Sequence, residues 1–155
     1  MRSGTERRIA SGPPSPRARA YDQRVRSPEE ILRDAKTIAL VGASPKVDRP
    51  SNAVMRYLLA HGYDVVPVRP RDCDEVLGIP CVAALSDVDR PIDLVDVFRR
   101  LDAVPEVARE AVEVGAKALW LQFGLRSSEA RAIAAADGLD YVEDECTAIV
   151  HRRLS

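Results

Sequence analysis

Nowhere does the chain hold an uninterrupted apolar run near the roughly 20 residues that a bilayer-spanning helix needs, and no secretory hydrophobic segment follows its basic N-terminus. Neither a membrane nor an export route is therefore expected. Cysteine is scarce: Cys73, Cys81 and Cys146 are odd in number and contain no CxxC pair. That pattern argues for reduced thiols in a cytoplasmic protein and against a disulfide or zinc framework. The two histidines, His61 and His151, have no spaced cysteine or carboxylate set around them, so no metal site is expected. His61, just before Gly62, is expected to meet the last carbonyls of a helix.

What is present is ordinary for a globular protein: 155 residues, 46% of them hydrophobic and 30% charged. That length suits one domain with a real core. The net charge of −1 hides an asymmetry. Residues 1–26 hold seven arginines against Glu6 and Asp22, a balance of +5, which leaves −6 for the rest. This basic stretch is rich in proline, glycine and serine and has no apolar periodicity, so it reads as a disordered leader before a domain over 27–155. With Tyr21 as its single aromatic, on an acidic body, it is not read as a nucleic-acid arm.

The ordered chain opens at Ser27-Pro28-Glu29-Glu30, a capping box with proline at the first helical position. Thr37–Val41 is a short β-branched and aliphatic run, suited to a strand buried on both faces. Gly42 then permits a sharp turn and close approach. A polar loop runs to Pro50, and a helical pattern from Ser51 ends at Gly62. Strand, glycine turn and helix start form an anion-binding layout, because the first N–H groups of a helix lack internal partners and its dipole is positive there. Ser44 and Ser51 suit either phosphate contact or capping of that helix.

Further strands are expected at Tyr63–Val68, Ile92–Phe98, Ala116–Leu121 and Leu139–Val142, with Trp120 in the core. Helices are expected from Asp102 or Ala103 to Val114, from a Ser127 cap to Gly138, and from Thr147 to Leu154. Between Asp72 and Pro91 only a short extended piece and a helical turn are expected. This alternation predicts an α/β, Rossmann-like three-layer sandwich with a five-stranded, mostly parallel sheet. Ligands bind beyond the carboxyl ends of such strands.

The nucleotide can be narrowed. A dinucleotide fingerprint needs GxGxxG after the first strand and an acidic residue ending the second. Only Gly42 of that motif is present, and the second strand ends in Val68-Arg69-Pro70-Arg71. Arginine there favours a phosphate over a ribose 2′-hydroxyl, which disfavours NAD and leaves NADP or another phosphorylated adenosine.

The stretches VGASPKVDRPSNAVMRYLLAHGYDVVPVRP, DLVDVFRR and AVPEVAREAVEVGAKALWLQFG, with the late Cys146, resemble the small stand-alone CoA-binding proteins. These are single-domain relatives of the N-terminal domain of the succinyl-CoA synthetase α-subunit. The resemblance covers about Ser27 to Leu154 and falls on four successive strand ends. It implies a cofactor, coenzyme A or an acyl-CoA, lying across those ends. By this resemblance Gly42, Ala43, Ser44, Arg49, Pro50, Ser51 and Asn52 would hold phosphates, and Val68, Arg69 and Pro70 would border the adenosine. Phe98, Arg99 and Arg100 would flank the pantetheine or phosphates, and Gln122, Phe123 and Gly124 would close the site.

Two positions depart from the family pattern: Arg69 stands where asparagine is common, and Glu145 where an arginine precedes the cysteine. The first still suits phosphate; the second removes a positive charge. The ligase relatives also use a phosphorylated histidine in a second domain that this chain is too short to hold, so ligase activity is not expected to carry over. The resemblance thus implies non-catalytic binding of CoA, with no membrane and no named protein partner. The alternatives are an NADP-dependent oxidoreductase, for which no proton donor is apparent at the strand ends, and a partner-binding subunit with a weak nucleotide site. Arg99 and Arg100 could instead form an exposed strand end pairing with Asp102. Cys146 is read as an inert core thiol, with a redox role beside the CoA thiol as the sharper alternative.

Overall fold

A computed structural model describes residues 25–154. The capping box is realised in α1 (Pro28–Asp34): the Ser27 hydroxyl accepts from the Glu30 N–H, and the Glu30 carboxylate accepts from the Ser27 N–H. The sequence-level leader falls outside the described residues up to position 24. Arg26, at its end, donates from Nε to Asp140 at 2.7 Å, and its backbone N–H also reaches that carboxylate. Asp140 is almost fully buried, so this ion pair ties Arg26 to the domain.

Five strands form one sheet: β1 (Thr37–Val41), β2 (Asp64–Val68), β5 (Leu94–Val97), β6 (Ala118–Leu121) and β7 (Asp140–Val142). Their order is β2-β1-β5-β6-β7 and every pairing is parallel. The predicted α/β Rossmann-like sheet is therefore what forms, and all of it is parallel. The five residues of β1 are all buried, as an apolar run without polar alternation requires of an inner strand.

Successive side chains point to opposite faces. One face, with Ile38, Leu40, Leu94 and Trp120, packs on α1, α2 (Pro50–Ala60) and α5 (Thr147–Arg152) through Leu32, Met55, Leu58 and Val150. The other, with Ala39, Val95, Leu119 and Leu121, packs on α3 (Val104–Glu113) and α4 (Ser128–Ala136). Trp120 is in the core as expected, and Ser127 caps α4 by accepting from Ala130.

Two details correct the sequence reading. Helix α2 starts at Pro50 with Arg49 as its N-cap and no side-chain cap, so neither Ser44 nor Ser51 performs that role. The Ser44 hydroxyl instead accepts from the Lys46 N–H at 3.1 Å and closes a turn in the loop. The thiols differ more. Between β2 and β5 the chain folds into a small hairpin of β3 (Glu75–Val76) and β4 (Ile79–Pro80). The turn brings the Cys73 and Cys81 Cα atoms to 6.0 Å, and the two are joined as a disulfide. The expectation of three reduced thiols is overturned, and with it the argument from thiols to the cytoplasm. Among the described residues, no helix is long and apolar enough to cross a membrane.

Candidate functional site

From β1 the chain passes to β2 on one side and later returns to β5 on the other, so the switch point lies at the carboxyl ends of β1 and β5. Gly42 sits there with φ of +92°. A Cβ at this position would lie 2.1 Å from the Phe98 carbonyl oxygen. What demands glycine is thus the backbone ending β5, which is locked to β1 by a 2.7 Å bond from the Phe98 N–H to the Val41 carbonyl. The Gly42 N–H donates to the Val68 carbonyl, joining the β2 end to the same corner.

A cavity of about 670 Å³ opens over this corner, a size that suits a nucleotide-like ligand. Four cations line it, Lys46, Arg49, Arg69 and Arg99, and no carboxylate is among the lining residues. Arg69 is held in place: Nη1 donates to the Ala43 carbonyl at 3.1 Å and Nε to the Arg71 carbonyl at 3.0 Å. Lys46 and Arg49 make no ion pair among the described residues. Ser44 and Ser51 line the same cavity. The start of α2 is sparing with donors, since Pro50 has no N–H and the N–H groups of Asn52 and Ala53 turn back to the Arg49 carbonyl. The Ser51 N–H and the helix dipole remain for an anion.

The rest of the lining is mostly apolar, with Val54 of α2, Phe98 at the end of β5, Phe123 and Leu125 after β6, and Cys146, together with Gln122. Phe123 is 79% exposed at the mouth. Gln122 belongs to a closed polar triangle. Asp96, in the middle of β5, and Thr147 are fully buried, and Gln122 is nearly so. Gln122 Nε2 donates to Asp96 Oδ1 and, at 3.1 Å, to the Thr147 hydroxyl, which in turn donates to Asp96 Oδ2 at 3.0 Å. Burial pushes the Asp96 carboxyl up to about 7, against the two donors that favour its ionised form.

Of the residues assigned from sequence, Gly42, Ser44, Arg49, Pro50, Ser51, Arg69, Phe98, Arg99, Gln122 and Phe123 line the cavity. The others lie behind or beside it. Ala43, Asn52 and Val68 are buried, and Asn52 braces the loop by donating from Nδ2 to the Ser44 carbonyl at 2.9 Å. Pro70, Arg100 and Gly124 are exposed away from it, and Arg100 pairs with Asp102 at 3.7 Å. Sequence reasoning missed Lys46, Val54 and Leu125 as lining residues and Asp96 as their support. The signal for Asp96 was present: a carboxylate interrupts an apolar strand, LVDV. Cys146 is half-buried: it packs against the core, as its reading as a core thiol expects, and it also lines the cavity. Glu145 is not among the lining residues, and its carbonyl accepts from Trp120 Nε1 at 2.8 Å.

Residues 36–152 match the model of the CoA binding domain family. The chain belongs to that family. It is 40% identical over 123 residues, 79% of this chain and 90% of the relative, to the uncharacterized protein YneT of Bacillus subtilis (strain 168). A solved structure of a hypothetical protein from Pyrococcus horikoshii OT3 superposes with a TM-score of 0.79 at 43% identity, covering 82% of this chain and 89% of that one. An ADP-forming acetate–CoA ligase of Methanocaldococcus jannaschii is 32% identical over 82 residues, 53% of this chain but only 12% of the ligase. The similarity to the ligase thus concerns a small part of a much larger protein.

Proposed function

We propose that this CoA-binding domain binds coenzyme A or an acyl-CoA in the cavity at the β1/β5 switch point and catalyses no reaction on it. One observation carries the reading: four cations and no carboxylate line a cavity whose remaining lining is mostly apolar. That combination suits a ligand with several phosphates and a long, weakly polar arm. Guanidinium groups suit such phosphates because they form paired charge-assisted hydrogen bonds. Neither a nucleic acid nor a membrane surface is part of the proposal.

Within this reading Arg69, at the end of β2, takes the 3′-phosphate, and Arg49, at the start of α2, takes the pyrophosphate. Calorimetric titration with CoA, acetyl-CoA, NADP and NAD tests the ligand class. CoA is expected to bind and NAD is not; equal or tighter binding of NAD overturns the proposal, and preference for NADP turns it to the oxidoreductase alternative. Arg49→Ala and Arg69→Ala should each weaken CoA by about 1.5–3 kcal/mol, the scale of a hydrogen bond to a charged group. With dephospho-CoA the Arg69→Ala penalty should nearly vanish while that of Arg49→Ala persists. Two undiminished penalties would reverse the Arg69 assignment.

A further inference from the structure

Gln122 is held from below at both of its N–H groups, and its Oε1 accepts from no group among the described residues although the side chain is 95% buried, with a relative exposure of 5%. An amide carries its donors and its acceptor on opposite branches. With Nε2 turned down to Asp96 and Thr147, Oε1 is the end left for the cavity that Gln122 lines. A buried carbonyl without a donor costs free energy until something supplies one.

We infer that Asp96 is a positioning residue: with Thr147 it holds the Gln122 amide so that Oε1 faces the cavity as a fixed acceptor for an amide N–H of the ligand's arm. The inference rests on the CoA reading for the identity of that arm and on the triangle for everything else. Strand order places Gln122, after β6, two strands from the phosphate loop after β1. Neighbouring strands are about 4.8 Å apart, so the acceptor stands about 10 Å from that loop, beyond the phosphates. Coenzyme A and its acyl forms share amide donors in their arm, whereas a thioester has no S–H, and S–H is a weak donor in any case.

Asp96 fixes the orientation because an ionised carboxylate only accepts and must face Nε2. Once protonated it can donate, and the Gln122 amide is then free to turn. The groups packed round Asp96 leave its charge as the controlling one. Register sets Leu40 of β1 and Trp120 of β6 beside it, and α5 presents Thr147. Cys146, the residue before Thr147, faces the cavity. The influences on the Asp96 carboxyl are its burial and its two hydrogen bonds, with no charged side chain among them.

The first test needs no ligand. In the ¹⁵N-labelled full chain, the Gln122 side-chain amide protons (identified by their loss in Gln122→Leu) should be shifted from those of a solvated glutamine. They should titrate with a midpoint near pH 7 and cease to do so in Asp96→Asn. A solvent-like pair without pH dependence overturns the positioning role, whatever CoA does. The second test is calorimetric. Gln122→Leu should weaken both CoA and acetyl-CoA about tenfold, the scale of one buried hydrogen bond. Asp96→Asn should weaken both and flatten the rise in wild-type affinity through pH 7, while adenosine 3′,5′-bisphosphate, which lacks the arm, binds all three proteins alike. An equal loss with the bisphosphate makes the effect merely structural, and a loss with CoA but not acetyl-CoA overturns the amide assignment. Should Asp96→Asn fail to fold, Thr147→Val removes one acceptor and should give a smaller loss of the same selectivity; unchanged affinity there overturns the clamp. If wild type binds no CoA, the functional reading fails and the amide titration still decides the inference.

Discussion

The amino edge of the central sheet and the cavity at its carboxyl edge keep their cations in different company. At the amino edge Arg90 meets Asp64 at 2.8 Å, Lys117 meets Asp93 at 3.3 Å and Arg26 meets Asp140 at 2.7 Å. At the carboxyl edge, over β1 and β5, Lys46, Arg49 and Arg99 face a cavity with no carboxylate in its lining. Paired charges at strand starts close the fold upon itself. Carboxyl-edge cations outside the cavity are paired as well, Arg100 with Asp102 at 3.7 Å and Arg126 with Asp144 at 2.6 Å, whereas those over the cavity leave a field for an anion from outside.

Two glycines with the same backbone test how differently the edges are built. Gly42 has φ of +92° and Gly62 of +91°. A Cβ on Gly42 collides with the Phe98 backbone at 2.1 Å, whereas one on Gly62 meets nothing within 4 Å. Gly62→Ala should therefore cost only the left-handed backbone penalty, about 1–2 kcal/mol. Gly42→Ala adds forced separation of β1 and β5 and should cost about 3–5 kcal/mol in all. Denaturant midpoints of the two variants give the comparison. Equal losses would mean that the corner is no tighter than an open helix end.

The arginines separate the edges by what they affect. Arg49→Ala should lower CoA affinity by about 1.5–3 kcal/mol and leave the melting temperature nearly unchanged. Arg90→Ala should leave CoA affinity unchanged and lower stability by about 1 kcal/mol or less, because its pair with Asp64 is solvent-exposed. Titration and melting of both variants provide the four numbers. A drop in CoA affinity from Arg90→Ala would dissolve the distinction between the edges.

Much of this was legible in the sequence because it is local. The apolar run before Gly42, the Ser27 capping box, the helix stop at Gly62 and the arginines ending β2 are each decided by residues a few positions apart. The His61 expectation is of the same kind: Nδ1 lies 2.8 Å from the Tyr57 carbonyl, four residues back. What escaped depends on contacts made only when the sheet assembles. The Cys73–Cys81 bridge needs two strands of two residues each, too short to leave a periodic signal. The Asp96 triangle joins residues 26 and 51 positions apart. Arg26 reached Asp140 across 114 positions from a stretch whose composition looked like tail. Cys146 lines the cavity because α5 begins where β6 ends in space, which strand order decides and spacing does not.

The pH dependence of stability near neutrality has opposite signs at the two places. Burial raises Asp96 to about 7 from an unfolded value of 3.8. Between those values the native state holds a proton that the unfolded chain has lost, so stability falls as pH rises from about 4 to 7 and is level above. At the amino edge His151, hydrogen-bonded to the Tyr57 hydroxyl at 2.8 Å, is lowered from 6.5 by burial and by the nearby His61. There the unfolded chain binds the extra proton, so His151 contributes stability that is present above 6.5 and lost as pH falls through its folded value. Asp96 is shifted much the further, so the wild-type profile should fall from pH 5 to 7, with His151 only flattening it below 6.5. Asp96→Asn removes the falling slope and should leave stability rising towards pH 7; His151→Phe removes the rising one and should leave it falling. Denaturant melts from pH 5 to 8 resolve the three curves, and two variants parallel to wild type would show that neither group changes its proton affinity on folding.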